Sequence, residues 1–307
     1  MVGTLLRNTI HAVSAREYPY YSEAVEASGA YDWRRTKSAP VPAMKRLRED
    51  LHKFALKPRA SEDLSAFVED WVGRNDPQLD DAELQRQREL GWRAVVRWAR
   101  LIRVAADGSW TSSRPSELLM APPRAASPNA DAAVNYVVRA HLRAFGPASA
   151  PDIAAWTGLR TGTVKASLDR LEADLVRFQD EAGRTLFDLD SAPRPDGGSP
   201  APIRMLPWFD SVLLAYEPSE RARILPPAYR DRVYLSRNLQ WLPTFLVDGF
   251  VAGRWSAKLE RRRAGISLEP FVRLTAAVRR DLQAEAESLV GVLEPEARDY
   301  EVSFQSK

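Results

Sequence analysis

Residues Asp131–Leu189 read DAAVNYVVRAHLRAFGPASAPDIAAWTGLRTGTVKASLDRLEADLVRFQDEAGRTLFDL. Apolar side chains recur at Val134, Val137, Val138, Leu142 and Phe145, with His141 on the same stripe, which is the spacing of one helix face. Gly146-Pro147 breaks that helix. Ser149 stands three residues before Asp152, a capping-box spacing that predicts a short helix over Ser149–Trp156. Thr157-Gly158-Leu159 is a tight turn, and Arg160 or Thr161 caps a third helix ending near Ala173. Leu175–Phe178 and Arg184–Leu189 flank Asp180-Glu-Ala-Gly183 as a hairpin. Helix, short helix, glycine-containing turn, helix and hairpin is the order of a winged helix-turn-helix.

The same order is written less sharply upstream. Met44–Leu56 has apolar residues at Leu47, Leu51, Phe54 and Ala55 and stops at Pro58. Ser61 is placed to cap a helix that follows. A long helix is predicted from about Asp80 to Arg100, then a hairpin, Leu101–Val104 and Ser109–Thr111, around Asp107-Gly108. Residues 112–130, rich in Ser, Pro and Ala, read as a linker. Near the start, Arg16–Ala27 reads as a short helix, followed by an aromatic and basic loop, Tyr31-Asp-Trp33-Arg34-Arg35. The opening run Leu5–Val13, with Thr9 and Ile10 side by side, reads as a strand. It takes the place of the wing of a first module whose helices are missing, as though the start were truncated.

Beyond a Pro/Gly/Ser linker at 191–202 the character changes. Ile203–Leu206 is a strand and Phe209–Tyr216 a short apolar element. Two apolar strands flank Asp248-Gly249 within Trp241–Trp255. Leu268–Phe271 is a further strand, and Thr275–Val292 an amphipathic closing helix. The expected fold class is therefore α+β: tandem winged helix-turn-helix modules followed by a small C-terminal β-barrel-like domain with a closing helix. The expected boundaries are residues 1–40 for a remnant wing and helix, 41–120 and 121–190 for the second and third winged modules, and 191–307 for the β-rich domain.

Composition narrows the chemistry. The 307 residues contain no cysteine, which removes disulfides, thiolate zinc sites and cysteine nucleophiles together. The three histidines, His11, His52 and His141, share no ligand spacing, so neither a metal nor a cofactor is expected. No apolar run reaches the roughly 18 residues of a membrane helix, and no signal peptide stands at the start. A soluble, cytoplasmic protein with no membrane partner is expected, associated with the nucleoid when bound to DNA. Of 44 basic residues 37 are Arg, whose planar fork suits phosphates and guanine edges, although a GC-rich genome produces the same bias.

Four stretches carry a resemblance. They are Arg7-x-Thr-Ile-His11-x-Val-Ser-Ala, Ala144–Trp156, Leu206-Pro-x-Phe-Asp210-x-x-Leu-Leu214 and Phe245-Leu-Val-Asp-Gly249-x-Val-x-Gly253-x-Trp255. In this order they resemble the multiple winged-helix bacterial DNA glycosylases, the azinomycin-resistance and interstrand-crosslink-unhooking alkylpurine glycosylases. The resemblance spans nearly the whole chain. It implies double-stranded DNA, alkylated or crosslinked, as partner, and excision of alkylated purines in repair or self-resistance. The family's catalytic Gln-x-Gln or Gln-x-Asp lies N-terminal to the Arg-x-Thr-x-His strand, and this sequence has no counterpart there, so the catalytic residues are unassigned. A non-catalytic DNA-binding protein or regulator built from the same modules is the alternative, and a protein-binding scaffold a third.

Site candidates follow from these readings. A winged helix sets its third helix in the major groove and its wing on phosphate or minor groove. That nominates Arg160, Thr161, Thr163, Lys165 and Ser167 on the helix, with Arg177 and Arg184 on the wing. Asp169, Glu172 and Asp174 weaken the field there. Arg7 and His11 alternate along the opening strand and so share a face. The resemblance puts them near the lesion cleft, and a half-buried, hydrogen-bonded histidine is the plain alternative. Trp33-Arg34-Arg35 and Arg261-Arg-Arg263 suit stacking or phosphate, or else lie solvated. Gln85-Arg-Gln87 fits the Gln-x-Gln letters only by chance, on a solvent-facing helix. Asp210, Trp241 and Trp255 are read as structural.

Overall fold

A computed structural model describes residues 1–28, 41–75, 81–110, 115–122, 127–260, 263–295 and 297–305. They form two compact units, the first being Met1–Leu142 with Thr157–Leu175 and the second Arg143–Trp156 with Val176–Lys307. The Trp33-Arg34-Arg35 stretch and Arg261-Arg262 lie outside the described residues.

The first unit opens with a hairpin, not the single strand expected. Strand β1 (Val2–Thr4) and strand β2 (Ile10–Ala12) pair antiparallel, Gly3 opposite His11. The reversal occurs at Leu6–Asn8, where Arg7 (φ 53°) and Asn8 (φ 60°) are left-handed. The buried Leu5 and Leu6 anchor the turn, and the Leu5 amide donates to the Thr9 carbonyl at 2.9 Å. Helix α1 (Tyr18–Ala27) follows, led in by reciprocal bonds between Ser14 and Glu17.

Helices α2 (Val41–Phe54) and α3 (Ser61–Asn75) bury Leu47, Leu51, Leu64 and Val68 in one cluster. The long helix predicted over 80–100 is broken. It forms α4 (Asp81–Glu89) and α5 (Arg93–Trp98), separated by Gly91 and Trp92, both with positive φ. Trp92, at the break, is buried within the cluster. Strand β3 (Ile102–Val104) and the Asp107-Gly108 turn follow, but the return strand is β4 (Glu117–Leu119), inside the expected linker. Trp110 is 60% exposed, whereas Leu118 is buried, so the later apolar pair makes the better strand. β3 also pairs with β1, so the opening hairpin completes a four-stranded sheet in the order β2-β1-β3-β4.

Helix α6 (Ala130–Phe145), α7 (Ala150–Thr157) and α8 (Thr161–Arg170) come next, then strands β5 (Leu175–Gln179) and β6 (Thr185–Leu189) as a two-stranded sheet. This is the predicted element order. The capping box forms: the Ser149 amide donates to Asp152 Oδ2 at 2.9 Å and the Asp152 amide to Ser149 Oγ at 3.3 Å.

The rest of the second unit holds β7 (Arg204–Leu206), a one-turn helix α9 (Arg230–Val233), and the short strands β8 (Tyr234–Leu235) and β9 (Gln240–Trp241). Then come β10 (Thr244–Val247), β11 (Phe250–Glu260), β12 (Arg263–Pro270), α10 (Ala276–Leu293) and β13 (Asp299–Phe304). The main sheet runs β13-β12-β11-β10-β7. It is open, and no closing pair occurs among the described residues, so the barrel expectation is corrected. Side chains alternate across a strand. Phe245 and Ala252 pack with Leu282 and Val290 of α10 on one face, while Leu246 and Val251 pack with Leu213, Val233 and Phe271 on the other. With both faces covered, closure is unnecessary. β12 and β13 run parallel, which requires a crossover, and α10 supplies it. Among the described residues no helix is long and apolar enough to cross a membrane.

Candidate nucleic-acid interface

Within the first unit the opening hairpin meets the entry to α8. Gly158 has φ +76°, and a Cβ built on it would lie 3.2 Å from the Arg7 amide nitrogen and 3.3 Å from Arg7 Cγ. The Leu159 amide donates to Thr157 Oγ1 at 3.2 Å and tightens the turn. Arg160 is the extended N-cap residue of α8. Val164 and Leu168 are buried. Arg160, Thr161 and Lys165 are exposed and Thr163 half-buried, so these four stay open to a ligand. Asp169 is exposed on the same helix and subtracts from the positive charge.

Ser167 is lost as a candidate. It is buried, and its hydroxyl donates to Asn135 Oδ1 at 2.7 Å. Helix periodicity put it within reach of the exposed set, but a small hydroxyl next to Leu168 fills the side that packs on α6. Arg170 donates to the same Asn135 oxygen and pairs with Asp131, while Arg139 pairs with Asp174. The acidic tail of the helix is thus partly neutralised inside the unit.

Arg7 and His11 come together, though not by alternating along one strand. Arg7 stands in the left-handed turn and His11 in β2, so the fold-back brings the guanidinium into electrostatic range of the imidazole. His11 Nδ1 lies 3.0 Å from the Thr9 carbonyl. Burial is the main influence and lowers the His11 pKa from its ordinary value of 6.5; the Thr9 carbonyl raises it and Arg7 lowers it again. The folded chain therefore resists a proton that the unfolded chain accepts below about pH 6.5. The stability this group contributes is complete above that pH and is lost as pH falls towards the lowered folded value. Replacing His11 by Gln should flatten the fall in melting temperature between about pH 7 and pH 5; an unchanged slope would refute the lowered pKa.

The wing candidates lie in the second unit and part company. Arg177 is exposed on β5, its guanidinium carbon 5.8 Å from the Phe187 ring centroid. Arg184 is occupied: it pairs with Asp180 at 2.6 Å, with Glu220 at 2.6 Å and with Glu217 at 3.5 Å. The Glu217 carboxyl is raised above its usual range, chiefly by burial, then by repulsion from Asp152 and Glu220. The buried Asp152 accepts from the Glu217 amide at 3.0 Å. Arg184 thus holds an acidic cluster in place, and its two distant partners, Glu217 and Glu220, 33 and 36 residues away, left no local signal.

The remaining candidates are structural or lie elsewhere. Gln85 is exposed and bonds Glu89, but Gln87 is buried and bonds Glu83, so the pair does not share a solvent face. Asp210 caps the Ser211–Leu214 turn and Trp255 donates to the Leu206 carbonyl, as structural residues would. Arg263 is exposed at the start of β12. A feature unseen in the sequence is an aromatic group: Tyr20 stacks on Tyr136 at 4.4 Å, Tyr21 meets its edge, and the Tyr136 hydroxyl donates to Glu17 at 2.8 Å.

Comparison with known proteins agrees with this architecture. The fold is similar to that of the Streptomyces sahachiroi DNA glycosylase AlkZ, with a TM-score of 0.77 at 18% identity, covering 99% of this chain and 81% of that one. A search of curated proteins found no match. The sequence model described as DNA glycosylase AlkZ-like matches residues 1–292. The chain belongs to the AlkZ-like DNA glycosylase family.

Proposed function

We propose that the chain grips double-stranded DNA with the exposed side of α8 and presents the Arg7–His11 hairpin to an alkylated base next to it. The observation that carries this reading is the close approach of the Arg7 turn to Gly158. It sets the lesion-cleft candidates beside the start of the helix that bears Arg160, Thr161, Thr163 and Lys165. The reading takes α6, α7, α8, β5 and β6 as the third winged module of residues 121–190, with Arg177 on its wing and Arg184 as an internal clamp. Residues 41–120 are read as the second module, with the β1–β2 hairpin joined to its sheet. N7- or N3-alkylated purines are cationic and already leave readily. An imidazole kept neutral adds no repulsion to such a base, and Arg7 suits the flanking phosphate.

Each neutralised phosphate contributes about −0.9 to the slope of log K against log salt. The Arg160→Ala/Lys165→Ala variant should therefore bind duplex with a slope shallower by about 1.8, measured by fluorescence anisotropy over a salt series. Binding independent of salt, or a variant with the wild-type slope, would overturn the α8 assignment. Release of 7-methylguanine from methylated duplex tests the alkylpurine assignment, and no release by the chain would remove it.

A further inference from the structure

The segment between β7 and β10 leaves two adjacent aromatic side chains in solvent, Trp208 at 52% and Phe209 at 50% exposure. Phe209 has φ 56°, a strained state for a bulky residue that persists only where its surroundings enforce it. Its amide donates to the Trp241 carbonyl at 3.1 Å, and Asp210, next in the chain, accepts from the Val212 amide at 2.9 Å. These bonds hold the pair at the surface.

Trp241 is also where cations gather. Its ring lies 4.8 Å from that of Tyr234, its partner across β8 and β9. The Arg221 guanidinium sits over Trp241 at 5.2 Å and that of Arg230 over Tyr234 at 5.3 Å. Among the described residues Arg221 pairs with no carboxylate, and its Nε donates to the Tyr216 carbonyl at 3.3 Å. Among the described residues Arg230 pairs only with Asp231, at 3.5 Å and 96% exposed on its side chain. The Arg221 pKa is lowered first by burial and then by Arg230, as expected for two neighbouring cations. A cavity of about 330 Å³ opens beside Tyr234, with Arg237 and Asn238 in its wall.

We propose that this surface binds single-stranded DNA, with Trp208 and Phe209 as the platform for an unstacked base and Arg221 and Arg230 at the adjoining phosphates. Exposed aromatic faces stack on any base, and guanidiniums on aromatic rings pair with phosphate without losing that stack. The proposal rests on DNA being the substrate of this family, and is independent of which helix grips duplex.

The test compares a labelled 12-nucleotide oligothymidylate with a blunt duplex of the same length by anisotropy. Wild type should bind the single strand. Trp208→Ala/Phe209→Asn, with Asn chosen because it tolerates the left-handed backbone, should weaken that binding about tenfold or more and leave duplex affinity unchanged. Arg230→Ala should lower the single-strand salt slope by about 0.7. Arg160→Ala/Lys165→Ala should show the opposite preference, so failure of the duplex reading remains distinguishable. No single-strand binding by wild type, or equal binding by Trp208→Ala/Phe209→Asn, would overturn the proposal.

Discussion

Gly253→Ala is expected to cost about 3 kcal/mol or more, the upper end of what overpacking a core costs. An added Cβ would lie 2.1 Å from Cζ and 2.4 Å from Cε1 of Phe245, and 2.6 Å from the Glu269 carbonyl oxygen. Neither neighbour gives way easily. Phe245 is 0% exposed and packed beneath α10, and the Glu269 carbonyl belongs to the backbone of β12, paired with β11 through Arg254. Chemical denaturation should show the loss as a lower midpoint. Phe245→Leu/Gly253→Ala should recover part of it by removing the ring atoms while leaving the carbonyl contact. A melting temperature within about 2 °C of wild type would correspond to under 1 kcal/mol and refute the clash.

The same contact explains why Phe245 and Gly253 belong to one sequence motif. The hairpin turns at Asp248 (φ 50°) and Gly249 (φ 79°), as the Asp-Gly pair predicts. Val247 then faces Phe250, and Leu246 faces Val251. Simple continuation would set Phe245 opposite Ala252. A register shift between Phe245 and Leu246 instead sets it opposite Gly253, where the missing side chain makes room for the ring. The motif therefore belongs to packing in the second unit, and the pairing Phe–Gly is its physical content.

What was legible in the sequence was mostly what is decided within a few residues. The Ser149–Asp152 box, the Asp248-Gly249 turn and the Thr275 cap of α10 are each settled by bonds spanning at most three residues. What escaped depends on distant partners. β1 pairs with β3 across about a hundred residues, and β13 joins β12 only after α10 has crossed the sheet. Nothing near Arg184 announces Glu217 or Glu220, and nothing near Ser167 announces Asn135. The break in the long helix was the exception. Leu90-Gly91-Trp92 carried a glycine inside a helical pattern, a signal outweighed by the periodicity around it. At the candidate interface, the third helix and its exposed basic residues were readable, while the meeting of Arg7 with Gly158 required the fold.

That meeting can be taken apart by three substitutions. Gly158→Ala places an ordinary residue at φ +76°, at a cost of about 1–2 kcal/mol, and also sets a methyl group against the Arg7 backbone. We expect lower stability and duplex affinity reduced about tenfold or more, equivalent to roughly 1.4 kcal/mol, because both the Arg7 turn and the start of α8 must shift. Gly162→Ala provides the contrast: no atom lies within 4 Å of its Cβ, it sits in α8, and it should raise stability by about 0.5–1 kcal/mol. Gly158→Asn separates the two causes. Asn accepts the left-handed backbone at little cost, yet its Cβ meets Arg7 at the same 3.2 Å. If the hairpin and α8 form one DNA-facing surface, Gly158→Asn should keep most of the stability and still lose the affinity. A Gly158→Asn variant that binds duplex like wild type would separate Arg7 from the interface and leave Arg160, Thr161 and Lys165 to act without it.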